Sequence, residues 1–117
     1  MWTMITTDRF DHWLCSLSDS DRASVLAMLL VLREKGPGLA RPYADTVRGS
    51  RYHTMKELRI QRCGDPIRVF YAFDPARNGI VLCAGNKVGN EKRFYVEMLP
   101  VADWEFTHWL NRLKQEE

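Results

Sequence analysis

The chain has 117 residues, of which 45% are hydrophobic and 27% are charged, and its formal net charge is +2. This length supports one hydrophobic core but not two, so residues 1–117 are expected to form a single domain, and the ordinary composition excludes a disordered or low-complexity protein. The net charge is too small to identify a nucleic-acid-binding protein by itself.

The first third of the chain predicts one strand and two helices. Residues 2–6, "WTMIT", alternate and are rich in β-forming residues, which favours a strand. Thr7 can cap a first helix, because apolar residues follow it at helical spacing. They are Phe10, Trp13, Leu14 and Leu17. A second helix is expected to begin after Ser18 and to stop at Gly36-Pro37, and its wide apolar face indicates that it packs on a sheet.

The next segment, "GPGLARPYADTVRGSRYH", contains too many Pro and Gly residues for regular structure and is interpreted as a linking loop. Three strands are predicted after it: "MKELRIQ", "IRVFYAF" and "IVLCA". Because the connections between them are short and have turn chemistry, an antiparallel arrangement is favoured.

The C-terminal part predicts helix. "NEKRFYVEML" is a short helix or a loop leading into a last strand, and we favour the helix. The tail "PVADWEFTHWLNRLKQEE" is a helix with Pro100 near its first turn. We therefore expect an α+β fold in the order β-α-α-β-β-β-α. In this fold an antiparallel sheet of about four strands carries the two N-terminal helices and a C-terminal helix.

The strand "IRVFYAF" has apolar residues on both faces, which predicts a central position in the sheet. Ile67, Val69, Tyr71 and Phe73 share one face, and Arg68 shares the other with Phe70 and Ala72. A cation near the start of a central strand either pairs with Glu57 on the neighbouring strand or lies in an exposed concave site.

The positive charge is concentrated in the middle of the chain. Residues 48–93 contain ten basic and four acidic side chains, whereas both flanking segments are net acidic. This pattern is typical of an anionic ligand or of a solvated face that is balanced elsewhere. Strand ends and loops are expected to bring the candidate side chains to one neighbourhood: His53, Arg59, Arg68, Lys87, Lys92, Arg93 and Tyr95. Taken singly, each of them can equally be a surface, turn or core residue.

RNA cleavage without a metal ion would use such a cluster. The ribose 2′-hydroxyl attacks the adjacent phosphate, so the site must accept one proton, stabilise the phosphorane charge and donate one proton. Arg59, Arg68 and Lys87 are suited to the charge. The base is left open among Glu57, His53 and a lysine of lowered pKa, and the acid between Tyr95 and a cation. Tyr95 or Phe94 can instead stack on an RNA base.

The strings "RPYADTVRGSRYHTMKELR", "RVFYAFD" and "GNK…FY" resemble the RelE/HigB-like toxins of bacterial type II toxin–antitoxin modules, especially their phage-derived branch. The resemblance covers nearly the whole chain. It implies a compact antiparallel sheet with two helices on one side, and metal-independent, ribosome-dependent cleavage of mRNA. It also implies a cognate antitoxin, often of the helix-turn-helix type. The toxin would then contact DNA only indirectly, through this antitoxin.

Carried over by motif, the resemblance implies that Arg68 contacts the scissile phosphate, with Arg59, Lys87 and Tyr95 in the same site. The RelE branch has lysines where this chain has Met55 and Glu57. His53 matches by position a histidine used in HigB-like members. A further set of cations is expected to contact RNA: Lys56, Lys92 and Arg93.

The cysteines and histidines indicate neither a disulfide framework nor a metal site. Cys15, Cys63 and Cys83 are odd in number and widely spaced, which suggests reduced thiols in a cytoplasmic protein. No signal peptide or membrane-spanning run is evident, and no cofactor is expected. Two other functions stay open: a ParE-like toxin that poisons DNA gyrase, and a non-catalytic RNA-binding or regulatory module.

Overall fold

The computed structural model describes residues 1–62 and 64–116. Its five strands are β1 Thr3–Thr6, β2 Ala44–Thr46, β3 Lys56–Arg62, β4 Asp65–Phe73 and β5 Asn78–Asn86. Its three helices are α1 Asp8–Cys15, α2 Asp19–Lys35 and α3 Glu91–Gln115, and a short 3-10 turn, Gly36–Gly38, follows α2. The strands form one sheet in the order β1-β5-β4-β3-β2.

Strand β4 lies in the middle of the sheet, as its two apolar faces predict. On one face, Val69 and Tyr71 pack with Phe10 of α1 and with α2. On the other face, Phe70 and Ala72 pack against α3. The helices therefore cover both sides of the sheet, with α1 and α2 on one side and α3 on the other. The α+β fold class is confirmed.

Two expectations about the sheet are wrong. The sheet has five strands rather than about four, because residues 44–46, inside the segment interpreted as a loop, form β2 and pair antiparallel with β3. The sheet is also mixed, since β1 pairs parallel with β5. Two helices separate β1 from the rest of the sheet, and a parallel pair needs a long connection of this kind.

The C-terminal region forms a single helix. The segment favoured as a short helix and the tail are continuous in α3, so Pro100 lies inside the helix and not near its first turn. Because α3 starts at Glu91, Tyr95 lies near its N-terminal end. The buried residues of α3, Leu99, Ala102 and Phe106, follow further along the helix.

Side-chain caps explain where the helices begin. The Thr7 hydroxyl accepts a hydrogen bond from the backbone N–H of Phe10 at 3.1 Å, and Ser18 accepts one from the N–H of Asp21 at 3.2 Å. Both caps are confirmed. Asn90 caps α3 in the same way.

The cysteine prediction is confirmed in part. Cys15 and Cys83 are free thiols, one exposed and one buried. Cys63 lies outside the described residues. Within residues 1–62 and 64–116, the apolar stretch of every helix is too short for a membrane crossing.

Candidate functional site

The carboxylate of Glu57 is the centre of the site. Glu57 is only 4% exposed and lies on the side of β3 that α3 covers. Its Oε2 accepts a hydrogen bond from Nε of Arg59 at 2.9 Å, and Nε of Arg68 lies 3.8 Å from the same oxygen. Its Oε1 accepts a hydrogen bond from the Tyr95 hydroxyl at 2.6 Å. Two guanidinium groups and a phenol, from β3, β4 and α3, therefore meet on one carboxylate.

Arg68 is held inside the protein by this arrangement. In the β3–β4 register it lies directly opposite Arg59, and its side chain is 10% exposed. Its Nη1 donates a hydrogen bond to the carbonyl of Ile67 at 3.0 Å. Like charges directly opposite each other destabilise a strand pair, so the carboxylate of Glu57 is what makes the two arginines compatible.

Tyr95 keeps its proton at neutral pH. Burial raises the pKa of the Tyr95 phenol well above its usual value, and the hydrogen bond to the Glu57 carboxylate raises this pKa further. The phenol is therefore a hydrogen-bond donor and a possible proton donor, not a base.

Lys87 lies beside this phenol, at the end of β5. Its Nζ is 5.8 Å from the centroid of the Tyr95 ring and 2.9 Å from Oε1 of Glu91. The backbone N–H of Lys87 donates to the carbonyl of Pro66 at 2.9 Å, which fixes the turn after β5. Glu91 is 66% exposed, so its pairing with Lys87 is a weak surface contact that an anionic ligand can replace.

A cavity of about 620 Å³ opens beside Glu57, and we call it the basic cavity. Four cations line it against two carboxylates: Arg41, Arg48, Arg59 and Lys92 against Asp45 and Glu57. The side chains of Val96, Leu99 and Pro100 form an apolar wall. The cavity therefore combines an excess of positive charge with a surface on which a flat apolar group can pack.

Asp45 and Arg41 extend the site from β2 and the turn before it. Oδ2 of Asp45 accepts hydrogen bonds from Nε of Arg41 at 2.8 Å and from Nη2 of Arg59 at 3.3 Å. The hydrogen bond from Arg41 holds the pKa of Asp45 below its usual value. The guanidinium of Arg59 is thus fixed between two carboxylates, Glu57 on one side and Asp45 on the other.

Sequence reasoning missed Arg41, Asp45 and Arg48, because all three lie in the segment interpreted as a loop. The signal that could have found them is the short alternation of "YADTV", which is strand-like between its flanking proline and glycine.

Six of the nine predicted site residues lie at the site: Glu57, Arg59, Arg68, Lys87, Tyr95 and, at the cavity rim, Lys92. The other three lie elsewhere. Nζ of Lys56 donates to the carbonyl of Pro37 at 3.1 Å, because Lys56 alternates with Glu57 along β3 and points to the opposite face. Arg93 is exposed and pairs with Glu97 at 2.9 Å.

His53 is exposed in a turn that is attached further along α3. Within this turn Ser50 and the backbone N–H of Arg51 bind the carboxylate of Asp103, and Tyr52 bonds to Thr107. Asp103 lies two helical turns, about 12 Å along the axis, from Tyr95. The turn therefore holds His53 away from the basic cavity, and His53 is not among the described residues that line this cavity.

The donor set of the site is cationic. Across the residues that the structure describes, no three His, Cys, Asp or Glu side chains form a group that could hold a metal ion.

Comparison with known proteins identifies the family. The model of the phage derived protein Gp49-like family (DUF891) matches residues 12–107. The proposed toxin HigB3 of Mycobacterium tuberculosis is 41% identical over 107 residues, which are 92% of each chain. The chain belongs to the Gp49-like family of HigB/RelE-type toxins.

A second relative of this Gp49-like protein is the proposed toxin HigB2 of the same organism, with 44% identity over 110 residues. The match covers 93% of the present chain but 54% of HigB2, so the chain spans about half the length of that relative.

Solved structures share the fold. A double-arginine mutant of the E. coli toxin RelE in the free state superposes with a TM-score of 0.58 and 13% identity, covering 77% of this chain and 87% of RelE. A chain of the intact E. coli RelBE toxin–antitoxin complex gives a TM-score of 0.57 at 13% identity, covering 73% of this chain and 95% of that one.

Proposed function

We propose that the chain is a metal-independent endoribonuclease that cleaves mRNA on the ribosome. The observation that supports this proposal is the shortage of carboxylates: the guanidinium groups of Arg41, Arg59 and Arg68 share only Asp45 and Glu57, so the positive charge is only partly compensated. Guanidinium groups match the oxygens of a phosphate, and a phosphate beside Lys87 would supply the missing negative charge.

In the proposed reaction the 2′-oxygen forms a bond to the adjacent phosphorus, and the bond from phosphorus to the 5′-oxygen breaks. Arg59, Arg68 and Lys87 stabilise the charge on the phosphorane oxygens, an effect worth several kcal/mol at preorganised sites. Tyr95 turns its hydroxyl from Glu57 to the departing 5′-oxygen and donates its proton there, while the 2′-hydroxyl proton passes to water, from which the Tyr95 phenolate regains a proton. Both oxygens of Glu57 already accept hydrogen bonds, so we assign Glu57 to positioning the two arginines and the phenol.

The test maps RNA ends in growing cells. After brief expression of the chain, primer extension should show new 5′ ends inside translated codons. If instead DNA breaks accumulate while transcripts stay intact, the chain poisons gyrase, and if growth does not stop at all, it is a binding module. Either result refutes the nuclease proposal.

Substitutions at the phosphate site sharpen this test. Arg68→Ala and Lys87→Ala should each abolish growth arrest and mRNA cleavage, because each removes a charge from the phosphorane oxygens. Arg112→Ala, which removes a cation from the last turn of α3, is the matched control and should leave both unchanged. Circular dichroism should show that all three variants are folded. The proposed site is wrong if Arg68→Ala and Lys87→Ala arrest growth as fully as the unsubstituted chain.

We further propose that an adjacently encoded antitoxin, of the helix-turn-helix type, binds and neutralises this toxin in the cytoplasm. The proposal is supported by the relationship to HigB proteins and by the RelE fold, which in E. coli occurs in a complex with an antitoxin. Co-expression of the neighbouring gene should restore growth, and the two proteins should co-purify. A neighbouring product that neither restores growth nor binds would refute this assignment.

A further inference from the structure

A second cavity, of about 570 Å³, adjoins the site at the free edge of β3, and we call it the edge cavity. Strand β2 pairs with β3 as far as Leu58, and one further backbone hydrogen bond joins the N–H of Arg59 to the carbonyl of Tyr43, so the free edge of β3 begins after Arg59. The cavity is lined from α2, from the turn before β2 and from β3 and β4. Its lining includes Met28, Pro42, Tyr43, Arg59, Gln61 and Arg68.

The electrostatics of the edge cavity favour an anionic ligand. Two arginines line it, and its described lining includes no carboxylate. One of these arginines, Arg68, is 8% exposed, and its buried Nε makes no hydrogen bond within the part of the chain that the structure describes, since Oε2 of Glu57 is 3.8 Å away. A buried guanidinium N–H without a hydrogen-bond partner is costly, so Arg68 would gain by turning this N–H to an oxygen of an anionic ligand in the cavity that the residue lines.

Arg59 joins the two cavities. The residue lines both the basic cavity and the edge cavity. A ribonucleotide linkage carries one nucleoside on each side of its phosphate. A phosphate bound at Arg59 and Arg68 would therefore direct one nucleoside into each cavity.

We propose that the edge cavity binds the second nucleoside of the RNA linkage, with its base stacked on Tyr43 and its edge hydrogen-bonded by Gln61. This inference rests on the proposed nuclease function and adds a base-selecting subsite to it.

Tyr43 suits this role because its backbone is fixed while the residue is about half exposed. Its N–H donates to the carbonyl of Ala40 at 3.0 Å, and its own carbonyl accepts from the N–H of Arg59 at 2.8 Å. The Tyr43 residue is nevertheless 53% exposed. An aromatic ring on a fixed backbone loses little entropy when a base stacks on it, and the second hydrogen bond joins the backbone of Tyr43 to that of Arg59, the arginine that would hold the phosphate.

Gln61 supplies a polar contact for the edge of a base. A groove that binds only the apolar side of a peptide would not need such a contact. Gln61 is exposed at the open edge of β3, and its amide offers both a donor and an acceptor to a base edge. Met28, Pro42 and Ile60 provide an apolar surface around it, on which a flat base can pack.

The experiment measures single-turnover cleavage of mRNA on programmed ribosomes, with the base at each position of the exposed codon varied in turn. Tyr43→Ala should slow cleavage by on the order of tenfold, as expected for the loss of one stacked base, and Tyr43→Phe should restore it. Gln61→Ala should change the base preference at one codon position and leave the preferences at the others unchanged. Trp104→Ala removes an equally exposed aromatic residue (57%) from the part of α3 near β1, and it should cleave like the unsubstituted chain.

The outcomes separate the two proposals. If the unsubstituted chain cleaves, but Tyr43→Ala and Gln61→Ala cleave at the same rate and with the same base preference, the edge-cavity subsite is refuted while the nuclease function stands. If the unsubstituted chain cleaves no RNA with or without ribosomes, the nuclease function fails, and the subsite fails with it. Slower cleavage by Tyr43→Ala that Tyr43→Phe does not restore also overturns the subsite, because the ring would then not act by stacking.

Discussion

Replacing Glu57 with glutamine tests whether this carboxylate holds the site together. The side chain keeps its size but loses its charge, which leaves Arg59 and Arg68 facing each other across β3 and β4 without their shared counter-ion. Breaking a buried ion pair costs about 3–5 kcal/mol, and the cost here is lower because the Arg59 side chain is 35% exposed and Asp45 still binds it. We therefore expect Glu57→Gln to lower the free energy of unfolding by about 2–4 kcal/mol.

Thermal unfolding followed by circular dichroism measures this loss. For a chain of this length, a change of 1 kcal/mol moves the Tm by about 4 °C, so Glu57→Gln should lower the Tm by about 8–16 °C. Glu97→Gln is the matched control, because Glu97 forms an exposed pair with Arg93 at the same 2.9 Å distance. Its effect should stay below about 0.5 kcal/mol. Equal Tm values for the two variants would show that Glu57 does not hold the two guanidinium groups together.

Three further substitutions test the fold. Burial raises the pKa of the Cys83 thiol from its ordinary 9.0 to about 12, so as the pH rises the unfolded chain loses this proton before the folded chain does. The free energy of unfolding should therefore fall above pH 9, by about 1.4 kcal/mol per pH unit. In Cys83→Ala the urea midpoint should be less sensitive to pH between 9 and 10, and an unchanged slope would contradict the burial. Gly36→Ala should lower the free energy of unfolding in urea by about 2–4 kcal/mol, because φ is +58° and the new Cβ would clash with the Trp2 ring. Gly38→Ala, where a Cβ meets open space, should not lower it. Pro100→Ala should raise the Tm by restoring a helical N–H inside α3, a gain of about 1–3 kcal/mol, and a lower Tm would contradict this reasoning.

The central strand and its two faces could be predicted from the sequence, because side-chain alternation depends only on local geometry. The pattern of "IRVFYAF" puts Tyr71 and Phe70 on opposite faces, and the structure packs Tyr71 with α1 and α2 and Phe70 against α3. The same alternation put Arg68 within reach of Glu57. The caps at Thr7 and Ser18 are also local, and they were predicted for the same reason.

Features that depend on distant partners could not be predicted in this way. Strand β2 has three residues, so the alternation around it is short and stands among Pro and Gly residues, and its pairing with β3 stabilises it. The parallel direction of β1 follows from the path of α1 and α2 across the sheet, which no local pattern encodes. Pro100 resembles a helix start in sequence, but α3 begins nine residues earlier at Glu91, where Asn90 caps it.

The arrangement of charges at Glu57 is poorly explained by stability alone. Arg59 and Arg68 are directly opposite each other on neighbouring strands, which is an unfavourable cross-strand pair, and well-packed apolar residues at such positions are often at least as stable as a buried ion pair. Asp45 adds a second carboxylate, but it hydrogen-bonds to Arg59 and Arg41, so Arg68 still depends on Glu57 at 3.8 Å. The positive charge that is left over faces two cavities. A site of this kind keeps its arginines in place before the ligand arrives, and a phosphate that binds between them would replace charge repulsion with hydrogen bonds.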